Sequence, residues 1–166
     1  MILKQKMLFS KEECESIISY NNTHITNWVM DDRKYNSQPI NYSLDTKWLF
    51  DKLKEFVEEN TDIKIKKIKE TIHFHKFTKD DWFGKHNDIR DNRLYAVGVL
   101  LNDNFLGGDF KLHNQNEIIL DKVIGNAYIF DVRIDHEITP ILDGERFSLL
   151  WFLQNEHIEI KTNKLI

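Results

Sequence analysis

Two stretches of the chain repeat apolar residues at helical spacing. Ser10 with Glu13 three residues on forms a capping-box pattern, and Cys14, Ile17 and Ile18 follow at helical intervals. This predicts a helix from about Lys11 to Tyr20, ended by Asn21-Asn22-Thr23. Leu49, Leu53, Phe56 and Val57 form a second stripe with charges opposite, which predicts a helix from about Thr46 to Asn60. Between them, Trp28 to Ser43 is polar, aromatic and aperiodic, with Pro39 inside it. It reads as a long loop or an irregular strand pair. From Asp62 the period falls to two. Strands are expected over Thr71–Phe77, Leu94–Leu101, Asn126–Asp131 and Phe147–Leu153, with a hairpin of Phe110–His113 and Glu117–Leu120 around Asn114-Gln115-Asn116.

Short strands broken by turn signals point to a barrel or a double-sheet jelly roll. The fold class is therefore α+β: a double-stranded β-helix, a jelly-roll or cupin-like barrel, preceded by helices. One domain over 1–166 is expected, helical over 1–60 with a β core over 61–166. Gly107 and Gly108 read as turn formers needing positive φ, and Cys14, Trp151 and Phe152 as core.

Composition narrows the function classes. Hydrophobic residues at 41% exclude wholesale disorder, and a net charge of -4 removes any global pull toward nucleic acid. The Lys64–Lys69 run alternates basic and apolar residues and reads as a solvated strand edge. A single cysteine excludes a disulfide framework. With no leader-like start and no apolar span of membrane length, a cytoplasmic protein without membrane contact is expected, as monomer or homodimer.

Candidate chemistry begins at His86-Asn87-Asp88. In an extended segment, residues two apart face the same side, so His86 and Asp88 can share one ion. His136, after the apolar strand, can supply a third ligand. Two histidines and one carboxylate with open positions form the facial arrangement of non-haem Fe(II) oxygenases. Arg146 opens the last apolar strand, with Ser148 at i+2. A buried arginine needs an anionic partner, and its planar fork suits a carboxylate.

These residues stand within a longer pattern. His86-Asn87-Asp88, Leu101-Asn102-Asp103 with Gly107-Gly108-Asp109-Phe110, Gly125-Asn126-Ala127-Tyr128-Ile129-Phe130, His136-Glu137-Ile138-Thr139-Pro140-Ile141, and Gly144-Glu145-Arg146-Phe147-Ser148 occur in order. Together they resemble the prolyl-4-hydroxylase-like branch of the Fe(II)/2-oxoglutarate-dependent dioxygenases. The opening Phe9-Ser10-Lys11-Glu12-Glu13-Cys14 is similar to that family's first helix. The resemblance implies that His86, Asp88 and His136 hold Fe(II). It implies that Arg146, helped by Ser148, takes the distal carboxylate of 2-oxoglutarate, with O2 as the other co-substrate and ascorbate as an accessory cofactor. Many relatives carry a co-substrate tyrosine where this chain has Phe77; here either Arg146 and Ser148 suffice or another group, such as Tyr95 or Thr71, substitutes.

The implied activity is hydroxylation of an unactivated C–H bond with release of succinate and CO2, on a peptidyl proline. Hydroxylation of a free amino acid or other small metabolite is a second possibility, and a catalytically silent jelly-roll binding module a third. His75, Tyr35, Arg33 and Trp82 are the candidate substrate residues, with His73 beside His75 on one strand face. The Trp28–Ser43 loop is the candidate lid. Arg33, Arg90 and Arg93 are candidate cations for a substrate carboxylate.

Overall fold

The computed structural model describes residues 2–68, 71–90 and 92–161. The elements in chain order are β1 (Ile2–Met7), α1 (Lys11–Asn21), β2 (Thr26–Met30), β3 (Arg33–Ile40), α2 (Lys47–Asn60), β4 (Ile63–Ile65), β5 (Ile72–Phe77), β6 (Trp82–His86), β7 (Arg93–Leu100) and β8 (Phe105–Gly107). There follow β9 (Phe110–His113), β10 (Glu117–Ile119), β11 (Asn126–Asp131), β12 (Asp135–Ile138), β13 (Ile141–Gly144), β14 (Arg146–Gln154) and β15 (Ile158–Ile160).

The first 60 residues are not simply helical: β1, β2 and β3 lie among them. β2 and β3 are the strand pair that Trp28–Ser43 allowed, whereas β1 escaped the reading because Ile2–Met7 lacks a clean apolar alternation. β2 is exposed along its whole length. The candidate lid is a hairpin, with Thr26 opposite Ser37 and Met30 opposite Arg33. Its inner strand β3 is built into the main sheet, pairing β5 through Asn36–Ile40 and β6 through Arg33 and Lys34.

That double pairing makes β3 the fold's corner. One sheet runs β1-β11-β7-β14-β5-β3-β6-β12-β9-β10, with β2 attached to β3. It curls at β3, so that β6, β12 and β9 come to lie over β14, β5 and β7. This is the jelly roll expected from the sequence. Small sheets of β8 with β13 and of β4 with β15 close its flanks. Lys64 lies exposed between buried Ile63 and Ile65, as a solvated edge should; Lys69 lies outside the described residues.

Alternation along the strands divides the interior. On β14, Phe147, Leu149, Trp151 and Leu153 join a core with Phe74, Val97 and Ile129, on which α1 and α2 pack through Cys14, Phe50, Leu53 and Phe56. Burying each large apolar side chain contributes about 1.5–3 kcal/mol. The opposite face of β14 turns Arg146, Ser148, Leu150 and Phe152 toward a cavity inside the roll. The capping box of α1 forms: Glu13 N–H donates to Ser10 Oγ at 3.1 Å and Ser10 N–H to Glu13 Oε1 at 3.0 Å. Glu13 also takes Lys52 Nζ at 2.7 Å, tying α1 to α2. Gly107 and Gly108 adopt φ of 69° and 62°, as the turn reading requires.

Candidate active site

β6 and β12 pair so that His86 and His136 face one another, with ring centroids 4.3 Å apart. Asp88 follows β6 by two residues and is anchored by its N–H donating to Val132 O at 3.0 Å. The strand-pairing register therefore brings together three residues that are far apart in sequence. One donor atom from each of His86, Asp88 and His136 lies within 4.8 Å of the others.

The tautomers follow from hydrogen bonding. His86 Nδ1 lies 2.6 Å from Gly84 O, and His136 Nδ1 lies 3.0 Å from Ile134 O. A carbonyl can only accept, so each Nδ1 carries the proton and each Nε2 presents a lone pair. His136 Nε2 sits 3.2 Å from Asp88 Oδ2 without completing a hydrogen bond, and that buried oxygen has no hydrogen-bond partner among the described residues. Burial, with His136 alongside, pushes His86 down to about 4. Burial works to raise Asp88, but His136 and then His86 outweigh it and hold the carboxyl below its ordinary range. Two lone pairs and a carboxylate oxygen converge with no hydrogen between them. A divalent cation fits this donor set, and Phe83, Phe110 and Phe130 wall it from water.

The cavity beside this centre has a volume of about 130 Å³ and opens to solvent at its mouth. Arg146, 3% exposed, closes one end. Its Nη1 donates to Ser148 Oγ at 2.8 Å and its Nε to Gly108 O at 3.1 Å. It forms no salt bridge with a carboxylate among the described residues, although burial works against its charge. A buried guanidinium so placed fits an incoming carboxylate.

Phe77 packs beneath that guanidinium, 5.7 Å from it, and stacks on Tyr35. The hydroxyl beside Arg146 belongs instead to Tyr128, whose interaction with the guanidinium opposes the burial that raises the phenol. Neither proposed substitute is there. Tyr95 pairs with Leu153 at the far end of β7 and packs on the helix-side core, and Thr71 donates its hydroxyl to Asn41 Oδ1 at 3.1 Å. Tyr128 was legible in part, because it stands at the inward position of the Gly125–Phe130 motif. Gly98 opposite it on β7 makes its room.

Of the candidate substrate residues, His75, Tyr35 and Arg33 line the cavity, with His73, Arg90 and Arg93. Trp82 does not. It lies on the other face of β6, its ring against Gly84, and its neighbour Phe83 takes the inward position. Phe152 is buried in a core cluster with Phe110 and Phe130, as expected, and also lines the cavity, carrying the Arg93 guanidinium 3.7 Å from its ring centre. A second group, His113, Glu117 and Glu137, sits at the open edge, where the histidine and Lys111 already answer the carboxylates.

No family model matches the chain at the sequence level, and no curated protein does. Solved structures do. A Pseudomonas putida prolyl-4-hydroxylase superposes with a TM-score of 0.73 at 16% identity, covering 92% of each chain. A Trichoplax adhaerens prolyl hydroxylase, solved in complex with a peptide fragment of the hypoxia inducible factor oxygen degradation domain, gives 0.73 at 15%, covering 93% of this chain and 84% of its own. A 2OG-Fe(II) oxygenase family oxidoreductase from Burkholderia pseudomallei gives 0.70 at 15%, covering 93% and 82%. The fold is thus the jelly roll found in 2OG-Fe(II) oxygenases.

Proposed function

We propose that this chain is an Fe(II)- and 2-oxoglutarate-dependent dioxygenase that hydroxylates an unactivated C–H bond. The observation that carries this reading is the unprotonated convergence of His86 Nε2, His136 Nε2 and Asp88, beside a buried arginine that pairs with no carboxylate among the described residues. When bound, Fe(II) with 2-oxoglutarate and O2 supplies the oxidising power, and the co-substrate leaves as succinate and CO2.

The chain's own residues set the geometry. The Gly84 and Ile134 carbonyls fix both imidazole tautomers, so the ligand nitrogens are ready without proton loss. Ser148 and the Gly108 carbonyl hold the Arg146 fork in place for the distal carboxylate. Tyr128 supplies the hydroxyl that Phe77 lacks. Tyr35 and Phe83 stand as the apolar wall against which a reacting carbon is placed, and their burial keeps bulk water from it.

A peptidyl proline is the substrate supported by the fold neighbours, two of which are prolyl hydroxylases. A free amino acid or other small acid is favoured by a different observation, the arginines that line the cavity. Anaerobic titration tests the reaction class. Binding of 2-oxoglutarate should require Fe(II) or Mn(II), and metal-independent binding, or none, would refute it.

A further inference from the structure

Positive charge is distributed unevenly along the cavity. Arg146 closes one end of β14. Six residues on, about 20 Å by strand rise, Phe152 holds the Arg93 guanidinium against its face. Arg90 stands beside it, joined by a turn in which Arg93 N–H donates to Arg90 O at 3.0 Å. Arg90 forms no ion pair among the described residues, whereas Arg33 is paired with Asp32 at 2.9 Å. Asp88 is the only carboxylate among the described residues that line the cavity.

The two arginine positions cannot serve one molecule, because a five-carbon diacid is far shorter than the strand between them. The inner end is also balanced by itself. A divalent ion and Arg146 are answered by Asp88 and the two carboxylates of 2-oxoglutarate. Arg90 is left facing the outer cavity.

Between the two ends stand His73 and His75. Neither makes a hydrogen bond among the described residues, and both line the cavity. Burial lowers His73, and the nearby Arg93 and Arg90 lower it further. A neutral imidazole offers one donor and one acceptor to a polar substrate.

We infer that the primary substrate presents a free carboxylate to Arg90, with His73 and His75 along its polar flank. This rests on the dioxygenase reading and narrows its substrate class. The carboxylate belongs either to a free amino acid or similar small acid, or to the C-terminus of a peptide.

The test uses the full chain loaded with Mn(II) under nitrogen. Calorimetric titration with 2-oxoglutarate first checks the dioxygenase reading. At saturating 2-oxoglutarate, ligand-observed NMR then screens free L-amino acids against their carboxamides, and short peptides with free against amidated C-termini. The expected result is a carboxylate that binds at least about tenfold more tightly than its amide. Preference among the amino acids identifies a small acid, and preference among the peptides alone identifies a C-terminus. Arg90→Gln, an exposed substitution, should bring acid and amide together, and Arg90→Lys should restore part of the difference. If 2-oxoglutarate binds but no carboxylate outbinds its amide, the inference is overturned. It is also overturned if Arg90→Gln keeps the full preference. Failure of the first titration instead refutes the dioxygenase reading.

Discussion

Gly98 and Tyr128 face one another across β7 and β11, and a Cβ at Gly98 would sit 2.4 Å from the tyrosine hydroxyl oxygen. The glycine is therefore the space that the Tyr128 ring occupies on its way to Arg146. Gly98→Ala must displace a buried ring and should destabilise the fold by about 1–3 kcal/mol. Tyr128→Phe keeps the packing and removes only the oxygen. It should weaken 2-oxoglutarate binding about threefold to tenfold while leaving Mn(II) affinity unchanged, both read by calorimetry. Unchanged 2-oxoglutarate affinity would remove Tyr128 from that role.

Metal binding should report on the fold as well as on the site. Mn(II) at about 100 times its Kd should stabilise the folded chain by about 2.7 kcal/mol. For a domain of this size that raises Tm by about 5–10 °C. His136→Ala should lose this rise, and Asp88→Asn should lower metal affinity at least about tenfold. A full thermal shift in His136→Ala would place the ion elsewhere.

Arg146→Lys keeps the charge but loses the fork. The 2-oxoglutarate concentration for half-maximal succinate release should rise at least about tenfold, with kcat less affected. A change in kcat alone would mean that Arg146 acts on chemistry rather than on binding.

Burial, with His73 and Arg146 adding to it, lowers His75 to about 3, and His73 is lowered too. The unfolded chain binds protons at these histidines below about pH 6.5, while the folded chain resists. Stability of the metal-free protein should therefore fall as pH drops from about 6.5 toward about 3. Urea midpoints across that window should fall less steeply in His75→Gln than in the wild type. Parallel curves would show that His75 is not the group responsible.

Ser10→Ala should cost about 1 kcal/mol, because it strands the Glu13 N–H at the start of α1. Chemical denaturation measures this directly.

The helices and the inner strands were legible because their apolar spacing is regular. Phe147–Leu153 is both the plainest strand in the sequence and the centre of the sheet. The metal centre was legible for a different reason: two of its residues stand at i and i+2, and an extended segment, here the end of β6 and the two residues after it, brings them to one side. What escaped was whatever depended on partners across the sheet. β1 and β2 are edge strands with little apolar alternation, so only pairing with β11 and β3 reveals them. Trp82 and Phe83 differ by one position, and a one-residue register step decides which of them faces the cavity. Tyr128 needed Gly98 opposite it, a coincidence between strands that no single segment displays.

β14 has a consequence for selectivity. Because one hydrogen-bonded strand, locked between β5 and β7, carries both Arg146 and the Phe152 platform under Arg93, the span from the co-substrate anchor to the Arg93 guanidinium is set by backbone pitch. The pocket works as a gauge of fixed length. Ligands would be sorted by how far their acid group lies from the carbon to be oxidised, and retuning that choice would mean moving a cation by whole steps of two residues, about 7 Å each, along the strand.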